Sequence, residues 1–252
     1  MAEKSLKELE EMVKTVPDKM LLGLLKSDER KGAKKLAEKL EKKLNKIEAE
    51  RKRIEDMYLF QKVIAPDKKV IAGVDEAGRG PLAGPLVGAA VILNDEEYIS
   101  LADSKTLNKK EREDLCREII EKSLSYGVGV VNVKVIDNVN ILNANKIAFV
   151  KALKNLDMDP EHILLDGNQI PENYQDKADA VVKGDKKAAS IAAAGIIAKV
   201  TRDNIMYKLD KLYPGYGFCD NKGYPTKNHY IAIKNYGITP VHRESFLKGR
   251  NY

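Results

Sequence analysis

The periodicity of this chain changes once, near residue 65, and that change limits the folds open to it. Before it, apolar residues recur at helical spacing. Leu6, Leu9, Val13 and Val16 follow a Ser5–Glu8 pair with capping-box spacing, and Pro17 ends that helix. Met20, Leu21, Leu24 and Leu25 form a second cluster. From about residue 33 to 58 a stripe of Leu36, Leu40, Leu44, Ile47, Ile54 and Tyr58 runs through Lys- and Glu-rich sequence whose charges can pair at i,i+4 spacing. A helical hairpin or small bundle follows from this, over too few heptads for a coiled coil. The stretch APDKK, residues 65–69, reads as a linker.

Beyond the linker, short apolar runs bounded by glycine and aspartate take over. Strands are expected over residues 70–74, 86–93 and 126–133, in HILLDG and in ADAVVKG. Helices are expected from an Asn108 cap to about residue 123, over 142–156 and over 186–212. Strands first, then strands alternating with helices, imply an α/β class: a mixed five-stranded sheet flanked by helices, preceded by a small all-α module. The expected division is 1–65 for the module and 70–252 for the second domain.

No apolar run approaches the length of a membrane span, and the start, MAEKSLKELEEM, lacks the apolar segment of a secretory signal. The only cysteines, Cys116 and Cys219, suggest neither a disulfide framework nor a zinc site, so a cytoplasmic protein is expected. Charge is uneven. Residues 1–69 hold 19 Lys+Arg against 14 Asp+Glu, which is +5 of the net +6. That excess points to a polyanion partner for the module, although charge alone favours a solvated helix surface. With the apolar stripe docked on neighbouring helices, Lys34, Lys35, Lys42, Lys43 and Lys46 are left to meet phosphates.

The segment IAGVDEAGRGPLAGP, residues 71–85, resembles a phosphate loop only superficially. Gly73 and Gly78 have P-loop spacing, but Arg79 and Gly80 stand where Lys and a hydroxyl residue are needed, and Asp75 and Glu76 would repel the anion. GxGxxG fails as well, because Gly84 lies one residue too far. Carboxylates beside glycines make sense if a cation lies between them and a phosphate. HILLDG delivers Asp166 at a strand end, and VVKGDKK delivers Asp185 in the same way. Carboxyl ends of strands are where open α/β sheets build their sites. Acids sharing such a crevice call for Mg²⁺ or Mn²⁺, and two such ions can activate water and stabilise a leaving oxygen. Singly, Asp185 also reads as an N-cap and Asp166-Gly167 as a turn. Asp75 and Glu76 converge only if the strand ends at them.

These segments resemble the ribonuclease HII family. GVDEAGRGPLAGP, DSKTL at 103–107, LLDG, VVKGD, IAKVTRD at 197–203, NKGYPTKNH at 221–229 and HRESF near the end carry the likeness, from about residue 70 to 246. The resemblance implies a ribonuclease H-like fold and metal-dependent cleavage of RNA in RNA–DNA hybrids. It also implies incision on the 5′ side of single ribonucleotides embedded in duplex DNA, leaving 3′-hydroxyl and 5′-phosphate ends. Its metal-binding and catalytic acids fall on Asp75, Glu76, Asp166 and Asp185. Asp75 and Asp185 would hold the ion that activates water, and Glu76 and Asp166 would complete the site for two divalent ions. Gly78, Arg79 and Gly80 with Tyr224 would sense the ribose, and Arg79 and Lys105 suit backbone phosphates. Arg79 also speaks for ribonuclease HII over HIII, which has threonine in that position. A monomer is expected. His162, His229 and His242 read as structural or phosphate contacts. Two features depart from the family pattern: Gly195 stands where a serine is usual, and the first sixty-odd residues lie outside the likeness.

Overall fold

The computed structural model describes residues 4–94, 101 and 107–249. It divides into two compact units, Met1–Glu55 and Asp56–Tyr252. Both capping boxes form: Ser5 with Glu8 opens α1 (Leu6–Thr15), and Asn108 with Glu111 opens α4 (Lys109–Lys122). In the first unit α1 and α2 (Lys19–Lys26) pack Leu9, Val13, Leu21 and Leu25 on Ala33, Ala37 and Leu40 of α3 (Lys31–Ile64). Lys43 is not free for phosphate. Its ammonium donates to the Val13 and Lys14 carbonyls at 3.2 and 3.1 Å, closing the C-terminus of α1.

The stripe of α3 runs past Tyr58, so the helix is longer than expected. Its last turns lie in the second unit, where Met57 joins one core cluster and Phe60 and Ile64 another.

The second unit is built on a five-stranded sheet in the order β3-β2-β1-β4-β5. These strands are β1 (Ile71–Ala77), β2 (Leu86–Ile92), β3 (Ser125–Val131), β4 (His162–Asp166) and β5 (Ala178–Val181). The first three pair antiparallel, and β1–β4 and β4–β5 pair parallel. β3 stops at Val131, two residues short of the expected end, because Asn132 caps a helix that begins at Val133. That helix, α5 (Val133–Lys154), is broken at Asn140 (φ 65°), whose side chain accepts from the Leu142 and Asn143 amides and starts the second half. α5 covers one face of the sheet with Phe149 and Ala152. α6 (Ala189–Leu212) and α4 cover the other. Ala188, Ala189 and Ala192 to Ala194 are buried, and their small side chains bring α6 close to β1. The contact is closest at Gly73, where a Cβ would stand 2.1 Å from the Ser190 carbonyl carbon. Three short helices complete the fold: α7 (Phe218–Asn221), α8 (Lys227–Tyr236) and α9 (Glu244–Leu247). No helix among the described residues is long and apolar enough to cross a membrane.

Candidate metal and nucleic-acid site

The strand carrying Asp75 and Glu76 does not end there. β1 stays paired with β2 through Ala77, so successive side chains leave opposite faces of the sheet. Asp75 faces α6 and Glu76 faces α5. Asp166 follows the Val74–Leu165 pair on the neighbouring parallel strand, level with Asp75. Asp185 sits in the 3₁₀ turn that leads into α6, and the Gly184 amide beside it donates to Asp166 Oδ1 at 2.6 Å. Asp75, Glu76 and Asp185 line one crevice of about 290 Å³ with Arg112, Gly195 and Lys199.

Burial pushes the Asp75 carboxyl well above the usual range, and the charges of Glu76, Asp166 and Asp185 push it further. Glu76 is also raised by burial, opposed by Arg79, at 3.4 Å, and by a 3.3 Å hydrogen bond from Asn145 Nδ2. Among the described residues no three Asp, Glu, His or Cys side chains form a ready ligand set. The donor chemistry fits a hard divalent cation, since the crevice offers carboxylate oxygens whose mutual repulsion a cation would remove.

Gly195 bears directly on Asp75. A Cβ there would lie 2.3 Å from Asp75 Oδ2, so the carboxylate occupies space that a side chain would take. A serine at 195 would have to turn that carboxylate aside. Motif position alone points only to a missing hydroxyl and does not reveal this.

β1 runs on into the turn of Gly78, Arg79 and Gly80. Gly78 has φ +99°, and a Cβ on it would meet Arg202 Nε at 2.1 Å. Tyr224 is half exposed, and its Cε1 lies 3.6 Å from where a Gly80 Cβ would be. The turn and the tyrosine, 144 positions apart in sequence, are therefore neighbours just past the end of β1. Arg79 pairs with Glu76 while its side chain stays exposed. Lys105 lies outside the described residues.

His229 and His242 are buried, at 0% and 2% exposure, which removes them as phosphate contacts and leaves the structural role. His162 pairs with Asp179 at 2.9 Å. Sequence reasoning missed Asn145, Arg112, Lys199, Arg202 and Arg243. Arg202 and Arg243 lie inside the segments IAKVTRD and HRESF, so the only signal was membership of those segments.

Comparison with known proteins gives concordant results. Residues 72–249 match the family model described as Ribonuclease HII, and residues 5–65 match one described as Ribonuclease HII N-terminal domain. The first sixty-odd residues thus do not lie outside the likeness. A Clostridioides difficile protein named Ribonuclease HII is 47% identical over 98% of this chain and 99% of its own length. One from Acetivibrio thermocellus is 46% identical over 98% of each. Among solved structures, the ribonuclease H2 of Pyrococcus horikoshii superposes with a TM-score of 0.60 at 31% identity, covering 72% of this chain and all of that one. The Archaeoglobus fulgidus chain from a PCNA:RNase HII complex gives 0.61 at 27% identity, over 73% of this chain and 96% of its own.

Proposed function

The chain belongs to the ribonuclease HII family of metal-dependent endonucleases, and on that premise we propose that it incises duplex DNA on the 5′ side of single embedded ribonucleotides, besides cleaving RNA–DNA hybrids. In this reading Asp75, Glu76, Asp166 and Asp185 hold two divalent ions, Mg²⁺ or Mn²⁺, with Asp75 and Asp185 on the one that activates water. Bound ions would supply the activated water and charge stabilisation at the leaving oxygen. The chain supplies the rest. Asn145 steadies Glu76, while Arg112 and Lys199 bring positive charge to the crevice wall for the phosphodiester backbone. The 78–80 turn offers backbone groups to a 2′-hydroxyl, which both donates and accepts. Tyr224 stacks on the neighbouring deoxyribose, where a second hydroxyl would clash.

The observation that carries this reading is the approach of the Tyr224 ring to Gly80, so close that a Cβ on Gly80 would lie 3.6 Å from its Cε1, just past the end of the strand that bears Asp75 and Glu76. A labelled duplex with one embedded ribonucleotide, incubated with and without Mg²⁺ or Mn²⁺, tests it. Metal-dependent incision 5′ of the ribonucleotide is expected. Cleavage of continuous hybrids alone would overturn the proposal. Tyr224→Ala should slow incision at the single ribonucleotide by roughly 5- to 150-fold, matching about 1–3 kcal/mol of stacking removed, and affect an all-RNA hybrid strand less. Equal rates for wild type and variant on both substrates would remove Tyr224 from the site.

The N-terminal unit is assigned a supporting role in duplex binding, through exposed Lys34, Lys35, Lys42 and Lys46. Deletion of residues 1–55 is expected to weaken binding in the absence of metal. The log–log salt slope should flatten by about 0.9 for each phosphate the protein no longer neutralises. An unchanged slope and affinity would leave the unit without a nucleic-acid role.

A further inference from the structure

Three segments distant in sequence are braided behind the 78–80 turn. The Leu82 amide donates to the Gly223 carbonyl (2.8 Å), the Gly84 amide to Val241 (2.8 Å) and the Arg243 amide to Leu82 (2.7 Å), with a bridge between Ala83 and His242. Two arginines lie inside this braid, Arg202 at 1% and Arg243 at 0% exposure. Their side-chain hydrogen bonds go to main-chain carbonyls. Arg202 donates to Ala83, Pro85 and Lys222. Arg243 donates to Arg79 at 3.0 Å, to Gly78 at 2.7 Å, and to Gly84 at 3.0 and 2.8 Å. A guanidinium buried this way is costly, because carbonyl dipoles replace both water and a counter-ion. Burial and the neighbouring Arg202 lower the Arg243 pKa to about 9, which expresses that cost.

The adjacent residue reaches the other side of the braid. His242 Nδ1 accepts from the Thr239 amide at 2.9 Å, so its Nε2 carries the hydrogen and donates to His229 Nε2 at 3.1 Å. His229 Nδ1 then donates to the Tyr224 carbonyl at 2.9 Å. This relay is closed and neutral, and burial lowers both imidazole pKa values, that of His242 to about 4. Two consecutive residues thus hold the two halves of one site: Arg243 the carbonyls of Gly78 and Arg79, and His242, through His229, the carbonyl of Tyr224.

We propose that His242 and Arg243 are positioning residues that fix the distance between the 78–80 turn and the Tyr224 ring, and that this distance sets selectivity for a single ribonucleotide over continuous RNA. The proposal rests on the turn and Tyr224 sensing the ribose. Distinguishing one hydroxyl from a hydrogen demands tight placement, since a misplacement of about 1 Å can cost roughly 10²-fold in rate. Neither residue touches substrate, so the effect must appear as selectivity rather than as loss of chemistry.

The test compares Arg243→Lys, His242→Gln, Tyr224→Ala and, as a core control, Leu153→Ala. Each variant's kcat/KM is measured on a duplex with one ribonucleotide and on an all-RNA hybrid strand, with Tm recorded alongside. Arg243→Lys keeps a donor but loses the fork, and both positioning variants are expected to lower the single-ribonucleotide to hybrid ratio by about tenfold or more. Leu153→Ala should lose Tm with the ratio unchanged. If Tyr224→Ala shifts the ratio and the positioning variants do not, the inference is wrong. If Tyr224→Ala leaves the ratio unmoved as well, the sensor reading fails and the inference goes with it. Should Arg243→Lys not fold, His242→Gln decides alone.

Discussion

Asp75→Asn and Asp185→Asn should each reduce cleavage by about 10³-fold or more at saturating Mg²⁺, beyond what losing one electrostatic stabiliser usually costs. Each swap keeps the shape of the side chain and takes one charge from a crevice whose charge would hold the ions. Stability should move the opposite way. The Asp75 carboxyl is raised in the folded state by burial and then by Glu76, Asp166 and Asp185. An acid raised on folding destabilises the native state once pH exceeds its unfolded value, and that penalty is complete above the folded one. Near pH 7 and without metal, Asp75→Asn should therefore melt above wild type. Divalent metal should stabilise wild type by mass action and the variant much less. Turnover within a few-fold of wild type, or an unchanged metal-induced rise in Tm, would refute the assignment of Asp75.

Gly73→Ala is expected to be the most damaging of the small substitutions. The added methyl would lie 2.1 Å from the Ser190 carbonyl carbon and 2.2 Å from the Ile191 amide nitrogen. Those are backbone atoms at the start of α6, so no rotamer change relieves the clash. A loss of about 3 kcal/mol or more is expected, or roughly 6–12 °C in Tm for a unit of this size. Gly23→Ala is the contrast. Nothing lies within 4 Å of a Cβ there, and α2 should gain up to about 1 kcal/mol of helix propensity. A Gly73→Ala protein that melts within a degree or two of wild type would mean that β1 and α6 do not meet as described.

What the sequence revealed depended on whether a feature acts locally. Both capping boxes were legible because Ser5 with Glu8, and Asn108 with Glu111, act within one turn. Asp166 and Asp185 could be placed because one directly follows a short apolar run and the other stands just past one, after Lys183 and Gly184. The limit of β1 could not be read, because pairing with β2 at Glu76–Gly88 and Ala77–Val87 carries the strand past its apolar residues. Lys43 looks like any surface lysine until its partners, about thirty residues earlier, are known. Arg202, Arg243 and His242 bind main-chain atoms that every residue possesses, so no pattern of side chains announces them.

The start of α6 has no cap of its own, since Ala188 precedes it with no side chain to offer. Gln61 supplies one, its Oε1 accepting from the Ser190 amide at 2.7 Å and the Ser190 hydroxyl at 2.6 Å across 129 residues of sequence. During synthesis the ribosome therefore delivers the cap long before the helix it closes. At about 5–20 residues per second the interval is roughly 6–26 s. Throughout it, Phe60 and Ile64 wait for Leu164, Val181 and Ile191, the residues that will bury them. A ribosome stalled before Ser190 would hold that stripe open to solvent, and to any chaperone that binds apolar helix faces.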